Sequence, residues 1–251
     1  MPITFVVPVN REDIYQRNFL ASPLLRTGEY QIIAQTGYRT AGEAFNDAID
    51  RAANDIMVFC HQDVLLPTVW AKTFINNLLY LESVYNNIGV VGCFGATMRG
   101  QLAGHVYQNN REISGSTRLP AEVDTLDDLL ICFRKSKGIR FDEKLPEFAL
   151  YSQDVCIQAK VNGRKNFAVD APCFHNAPFR DDGFTLSGEE YILEKWKYRL
   201  PIYTNCGVLG GCKAVFYKKV KKFALQALGI SRPKWFEKYP LIEPEKILHD
   251  E

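Results

Sequence analysis

The sequence predicts an α/β protein built as a three-layer α/β/α sandwich with a mostly parallel central sheet. Three observations carry that prediction. Strand-like and helix-like segments alternate through the first half of the chain. The run from Asp55 to Cys60, apolar after its first residue, has the length and composition of a strand buried on both faces. Polar clusters then stand at the ends of three predicted strands: Pro8-Val9-Asn10-Arg11, His61-Gln62-Asp63 and Cys173-Phe174-His175. In a parallel sheet such ends open into one crevice, so residues distant in sequence can share it.

Each element follows from its pattern. Thr4–Val9 is apolar and β-branched and predicts a first strand, and residues 12–26 predict a helix whose reach Pro23 limits. Tyr30–Ala34 predicts a short second strand. Gly42–Ala53 places Ala44, Phe45, Ala48, Ile49 and Ala52 on one helical face. Strand 55–60 follows, then a helix after Pro67 with Trp70, Phe74, Leu78 and Leu81 on one side, then a strand over Gly89–Phe94. Residues 97–120, rich in glycine and polar groups, predict an excursion or hairpin. Leu129–Phe133 predicts a strand, Asp142–Leu150 a loop, and Asp154–Val161 a helix stopped by Asn162-Gly163. Phe167–Asp170 predicts the last strand, and Leu186 to Pro201 a further helix.

The chain of 251 residues carries a net charge of +1, with 47% hydrophobic and 24% charged residues, so no global charge draws it to nucleic acid or an acidic partner. No stretch reaches the roughly 20 apolar residues of a membrane-spanning helix, and Met1 to Pro8 lacks the pattern of a signal peptide. Seven scattered cysteines without a C-x-x-C pair suit buried reduced thiols, and the chain is expected to be cytoplasmic. The tail differs from the rest. Lys213 to Phe236 holds no acidic residue, and Phe216, Val220, Phe223 and Ala227 form a stripe among clustered lysines. This predicts a basic amphipathic C-terminal helix, either docked on the domain with its lysines in solvent or lying on an anionic membrane surface.

Residues two apart on a strand share a face, so His61 and Asp63 are expected to address one object while Gln62 points away. A carboxylate with one or two imidazoles suits Mn²⁺ or another divalent ion whose shell phosphate oxygens complete.

The order of elements and these clusters resemble the inverting glycosyltransferases of family two, of GT-A fold, and more narrowly a bacterial glycosyltransferase-like branch. The resemblance rests on Phe5 to Asn10, Gly42 to Ile49, Asp55 to Pro67 with its His61-Gln62-Asp63-Val64, Leu126 to Leu129, Phe141 to Glu143, Tyr151 to Cys156, and His175. It covers about residues 3–176. It implies a metal-dependent transfer of sugar from a UDP- or GDP-sugar to a saccharide or lipid-linked saccharide hydroxyl, with Mn²⁺ or Mg²⁺. Asp63 matches the metal-binding acid of the family's Asp-x-Asp and His175 its later metal-binding histidine. His61 replaces the first acid, which more often touches the ribose or a water ligand. Pro8, Val9, Asn10 and Glu12 match the loop around the base, Gln35 and Thr36 would flank it, Arg39 would lie near the diphosphate, and Asn46 and Gln62 complete the expected donor contacts.

The family's catalytic base falls at Ser152, which is no acid, so Asp154 is the expected base with Asp127 and Asp128 in reserve near the acceptor. A GT-A-like domain is expected over 1–212, its nucleotide half about 1–96 and its acceptor half about 97–212, followed by a basic amphipathic tail over 213–251 whose segment 213–236 is a candidate for peripheral membrane contact. Oligomerisation is left open. Two alternatives remain: a scaffold that binds nucleotide or sugar without chemistry, and a sugar nucleotidyltransferase. The latter needs a glycine-rich basic loop where this chain has Asn10-Arg11-Glu12-Asp13.

Overall fold

The computed structural model describes residues 1–26, 28–176, 186–210 and 241–247. The strands are β1 (Ile3–Pro8), β2 (Gln31–Gln35), β3 (Ile56–Cys60), β4 (Val64–Leu65), β5 (Ile88–Gly92), β6 (Phe94–Ala96), β7 (Leu102–Gln108) and β8 (Arg111–Ser114). They continue with β9 (Ala121–Val123), β10 (Thr125–Leu126), β11 (Leu130–Arg134), β12 (Lys165–Ala168), β13 (Phe174–His175), β14 (Ile202–Thr204) and β15 (Gly207–Leu209). The helices are α1 (Glu12–Arg17), α2 (Ala41–Arg51), α3 (Trp70–Val84), α4 (Tyr151–Val161) and α5 (Leu186–Lys195).

A central sheet runs β2-β1-β3-β11-β5-β12-β9. β1 pairs parallel with β2 and β3, and β12 pairs parallel with β5. β11 enters antiparallel between β3 and β5, and β9 closes the far edge antiparallel. The pleat divides the strands cleanly. Val6, Met57, Phe59, Ile131 and Phe133 face one core with α2 and α4, whereas Phe5, Val7, Val58, Cys60 and Cys132 face another with α3. Both faces are therefore covered, which is why these strands read as unbroken apolar runs.

α2 forms as its sequence demands. The Thr40 hydroxyl caps it by accepting from the Glu43 amide, and Ala44, Phe45, Ala48 and Ile49 are buried. α3 buries Trp70, Phe74, Leu78 and Leu81, the stripe expected. The helix expected over 12–26 is shorter. It ends at Arg17, where the Asn18 side chain donates to the Ile14 carbonyl, and the chain continues as two 3₁₀ turns over Phe19–Ala21 and Pro23–Arg26.

A second sheet, β10-β6-β7-β13-β4 with β8 on β7, lies beyond the carboxyl ends of β3 and β5. Its β13–β4 pairing sets His175 opposite Val64 and Phe174 opposite Leu65. No helix among the described residues is long and apolar enough to cross a membrane. The stripe and lysine cluster of 213–236 lie outside the described residues. Of the tail, 241–247 packs on the body: Ile242 and Ile247 are buried against Leu65 and Phe174.

Candidate metal and donor site

β3 ends at Cys60, and the chain turns at once, closed by the Val64 amide on the His61 carbonyl (3.3 Å). His61 and Asp63 thus converge through a turn, not through the pleat of a strand as expected. The His61 amide donates to the Leu129 carbonyl at 3.1 Å, which sets where the turn starts. Opposite, β13 brings His175 alongside. His175 Nε2 lies 3.3 Å and His61 Nδ1 3.8 Å from Asp63 Oδ1, and the two imidazole rings stand 5.8 Å apart. One ligand atom from each of the three residues lies within 4.8 Å of the others.

Asp63 Oδ1 is sealed from solvent and accepts no hydrogen bond among the described residues. A buried carboxylate oxygen with two imidazole nitrogens around it fits a divalent ion. Burial pushes the Asp63 carboxyl up, but the charge and proximity of His175, with His61, hold it well below the usual range. For His175 burial pulls downward, yet the Asp63 charge, with Asp127, lifts its pKa above the ordinary value. His175 Nδ1 lies 2.7 Å from Gln108 Oε1, an oxygen that can only accept, so Nδ1 carries the proton and Nε2 faces Asp63.

Asn176 holds the ligand strand in place. Its amide donates to the Asp63 carbonyl (2.8 Å), its side-chain NH₂ to Asn18 Oδ1 (3.0 Å) and the Ile242 carbonyl (2.7 Å), and its Oδ1 accepts from the Ile242 amide (2.9 Å). Gln108 and Asn176 were not anticipated; only the adjacency of Asn176 to His175 signals either.

Gln62 ties the site to the first strand. Its Oε1 accepts from the Asn10 and Arg11 amides, each at 3.1 Å, and its Nε2 donates to Asn10 Oδ1 at 2.5 Å. The loop leaving Pro8 and Val9 is thereby fixed beside His61. Glu12 is exposed in the first turn of α1, where it accepts from Gln16 at 2.6 Å, and Thr36 is exposed after β2. Arg39 is exposed and paired with Glu43 at 2.9 Å.

Four residues expected at the site make their hydrogen bonds within the fold. Gln35 is buried, with its amide donating to the Ala44 carbonyl and Asp47 and its oxygen accepting from Arg51, so it ties β2 to α2. Asn46 bonds Phe141 and Glu143 through both ends of its amide and so holds the 141–143 loop. Asp128 is the cap of α4. Its carboxylate accepts from the Leu150 amide (2.8 Å), the Ser152 amide (2.9 Å) and the Ser152 hydroxyl (2.6 Å), supplying the cap that Leu150 at the N-cap has no polar side chain to give. Burial pushes its pKa up despite these donors. Asp154 is 1% exposed and faces α5, accepting from Trp196 Nε1 (2.7 Å), Lys195 Nζ (2.9 Å) and Gln158 Nε2 (2.6 Å). A carboxylate so enclosed has no face for an acceptor hydroxyl.

Asp154→Ala is accordingly expected to destabilise the protein by about 2–4 kcal/mol in denaturant unfolding, the cost of orphaning buried polar partners. Metal affinity should stay unchanged. Full stability with lost turnover would instead restore Asp154 as the base.

Asp127 is the remaining expected acid. It is half-buried, accepting from the Leu129 amide (3.1 Å) and from Asn205 Nδ2 (2.6 Å), and its charge contributes to the raised pKa of His175. Asn205 belongs to the β14–β15 hairpin, which Thr125 Oγ1 also grips through the Tyr203 carbonyl at 2.6 Å.

Fold and site together define an α/β domain whose sheet delivers a polar centre at the end of its middle strands. The chain belongs to the family described as "Glycosyltransferase like family", whose model matches residues 4–179. A curated relative, "ATP synthase subunits region ORF 6" of Fuscovulum blasticum, is 23% identical over 163 residues, covering 61% of this chain and 64% of the relative. The chain thus spans less than two thirds of that relative. Among solved structures, the mannosyltransferase PcManGT from Pyrobaculum calidifontis in complex with GDP-Man and Mn²⁺ is 13% identical, covering 77% of this chain and 60% of that one, with a TM-score of 0.47. S. aureus TarS 1-349 in complex with UDP-GlcNAc is 13% identical, covering 79% and 65%, with a TM-score of 0.48.

Proposed function

We propose that this protein moves a sugar from a nucleotide-sugar donor, a UDP- or GDP-sugar, to a hydroxyl of a saccharide or lipid-linked saccharide, with inversion. The observation that carries the reading is the convergence of His61, Asp63 and His175 around a sealed, unpartnered carboxylate oxygen beside a loop that Gln62 locks. Asp63 and His175 would hold a divalent ion, Mn²⁺ or Mg²⁺, which when bound supplies Lewis-acid neutralisation of the departing diphosphate. The backbone from Pro8 to Asn10 would border the base, with Glu12, Thr36 and Arg39 on the exposed rim. Asp127, whose charge is felt by His175, would take the proton from the acceptor hydroxyl as its oxygen attacks the anomeric carbon. Asn205 and the Leu129 amide keep that carboxylate oriented.

A second reading is a nucleotide-binding scaffold without chemistry, favoured by Ser152 at the family's base position and by the enclosure of Asp154. Calorimetric titration with UDP and GDP, with and without Mn²⁺, followed by donor hydrolysis and transfer assays, separates the two. Metal-dependent nucleotide binding with turnover is expected. Binding without turnover would favour the scaffold, and no nucleotide binding would sink both. Residues 213–236 would hold the protein at an anionic, cytoplasmic membrane face; liposome partitioning unchanged by deleting 213–251 would refute this.

A further inference from the structure

The end of β3 carries an imidazole, His61, two residues before the Asp63 carboxylate, and the geometry gives that pairing a chemical meaning. We infer that His61 is the third protein ligand of the metal site, and that the resulting two-histidine, one-carboxylate set selects a first-row transition ion against Mg²⁺. The inference rests on the metal reading above and narrows it to the class of ion.

Ligand atoms sharing one such ion at bonds of about 2.1 Å lie about 3.0–3.4 Å apart. His175 Nε2 and Asp63 Oδ1, at 3.3 Å, already have that spacing, and His61 Nδ1, at 3.8 Å from the same oxygen, is a small side-chain adjustment from it. The three residues reach the site from two directions, one turn and one facing strand.

Each neighbour of the set supports ligation. Gln108 occupies Nδ1 of His175 and so reserves Nε2, the arrangement that metal-bound imidazoles keep. The backbone of His61 is pinned to Leu129, and its side chain makes no hydrogen bond among the described residues that would fix the ring elsewhere. Asp63 Oδ1 is sealed from solvent and faces the His175 and His61 imidazole nitrogens, and an ion held among the three would take the place of that long-range pairing.

Donor chemistry then decides which ion. Mg²⁺ favours oxygen ligands and retains its waters, whereas imidazole favours the later first-row divalent ions. An acid at position 61 would give an oxygen-rich site open to Mg²⁺; a second imidazole removes that equality.

The test is metal binding by the full-length metal-free protein, read by calorimetry and by the visible absorption of bound Co²⁺, without turnover. Wild type is expected to bind Co²⁺ at least 100-fold tighter than Mg²⁺. His61→Ala should weaken Co²⁺ at least tenfold and shift its absorption bands. His61→Asp, which keeps a ligand, should narrow the Co²⁺-to-Mg²⁺ ratio at least tenfold, and circular dichroism checks that each variant is folded. Unchanged Co²⁺ affinity and spectrum in folded His61→Ala, or equal wild-type affinities for the two ions, would overturn the inference alone. Co²⁺ binding unaffected by both Asp63→Asn and His175→Ala would overturn the metal reading itself.

Discussion

Asp63→Ala is expected to lower nucleotide-sugar turnover by about a thousandfold or more, the several kcal/mol that a correctly held ion supplies to a departing diphosphate. The same change should leave the metal-free chain folded, at the cost only of the Asp63–His175 ion pair. Thermal unfolding provides the check. Saturating metal should raise the melting temperature of wild type and leave that of the variant unmoved. A variant that retains metal-dependent turnover would remove Asp63 from the site.

The same pair sets a pH dependence whose sign is fixed. The Asp63 carboxyl is depressed below 3.8 in the fold, so its contribution is present above that value and is lost as pH falls through the depressed one. The His175 imidazole is raised above 6.5, so its contribution is present below 6.5 and is lost as pH rises through the raised value. The metal-free pair is therefore worth most between those limits. Metal must displace the proton on His175, so affinity should rise about tenfold per pH unit up to the raised pKa and level off above it. Calorimetry across pH reads this directly.

Asp127→Asn is expected to lower turnover by about 10²–10⁴-fold, the usual worth of a positioned base, while metal and nucleotide affinities hold. Asparagine preserves the shape and can still accept from Leu129, and Asn205 must turn its amide oxygen toward the new NH₂, so circular dichroism and thermal unfolding are read beside turnover to separate any loss of stability. Transfer falling with donor hydrolysis spared would fit an acid that serves the acceptor. Full transfer activity in this variant would remove Asp127 as the base.

Much of the fold could be read locally. The β3 strand, the α2 and α3 stripes and the strands beside them declare themselves by burial on both faces or by helical spacing, because those patterns depend on neighbours along the chain. The break of the 12–26 segment depends on Asn18 reaching back to Ile14, a competition that periodicity does not register. β11 inserting antiparallel between β3 and β5 is a pairing between distant segments, and the same apolar run would serve a strand of either direction.

For the site, residue identity and position diverge. His61, Asp63 and His175 stood out in the sequence as polar residues closing apolar strands, and they do meet, although a turn brings the first two together where a strand was expected. Asp128 and Asp154 were equally plausible acids by type, and Gln35 and Asn46 equally plausible donors. All four are engaged in holding the fold: Asp128 caps α4, Asp154 anchors α5, Gln35 joins β2 to α2, and Asn46 holds a loop. A carboxylate that ends a helix and one that accepts a proton have the same composition; only their partners separate them.

By itself the sequence determined the α/β class, the family, and the residue types that close the middle strands, since these follow from local pattern and motif. The tertiary structure alone decided which acids are spent on the fold, that Gln108 and Asn176 hold His175, and that a turn, not the pleat, brings His61 to Asp63. Those depend on distances between segments far apart in the chain, set by the pairing of β13 with β4 and by the packing of α5 on α4.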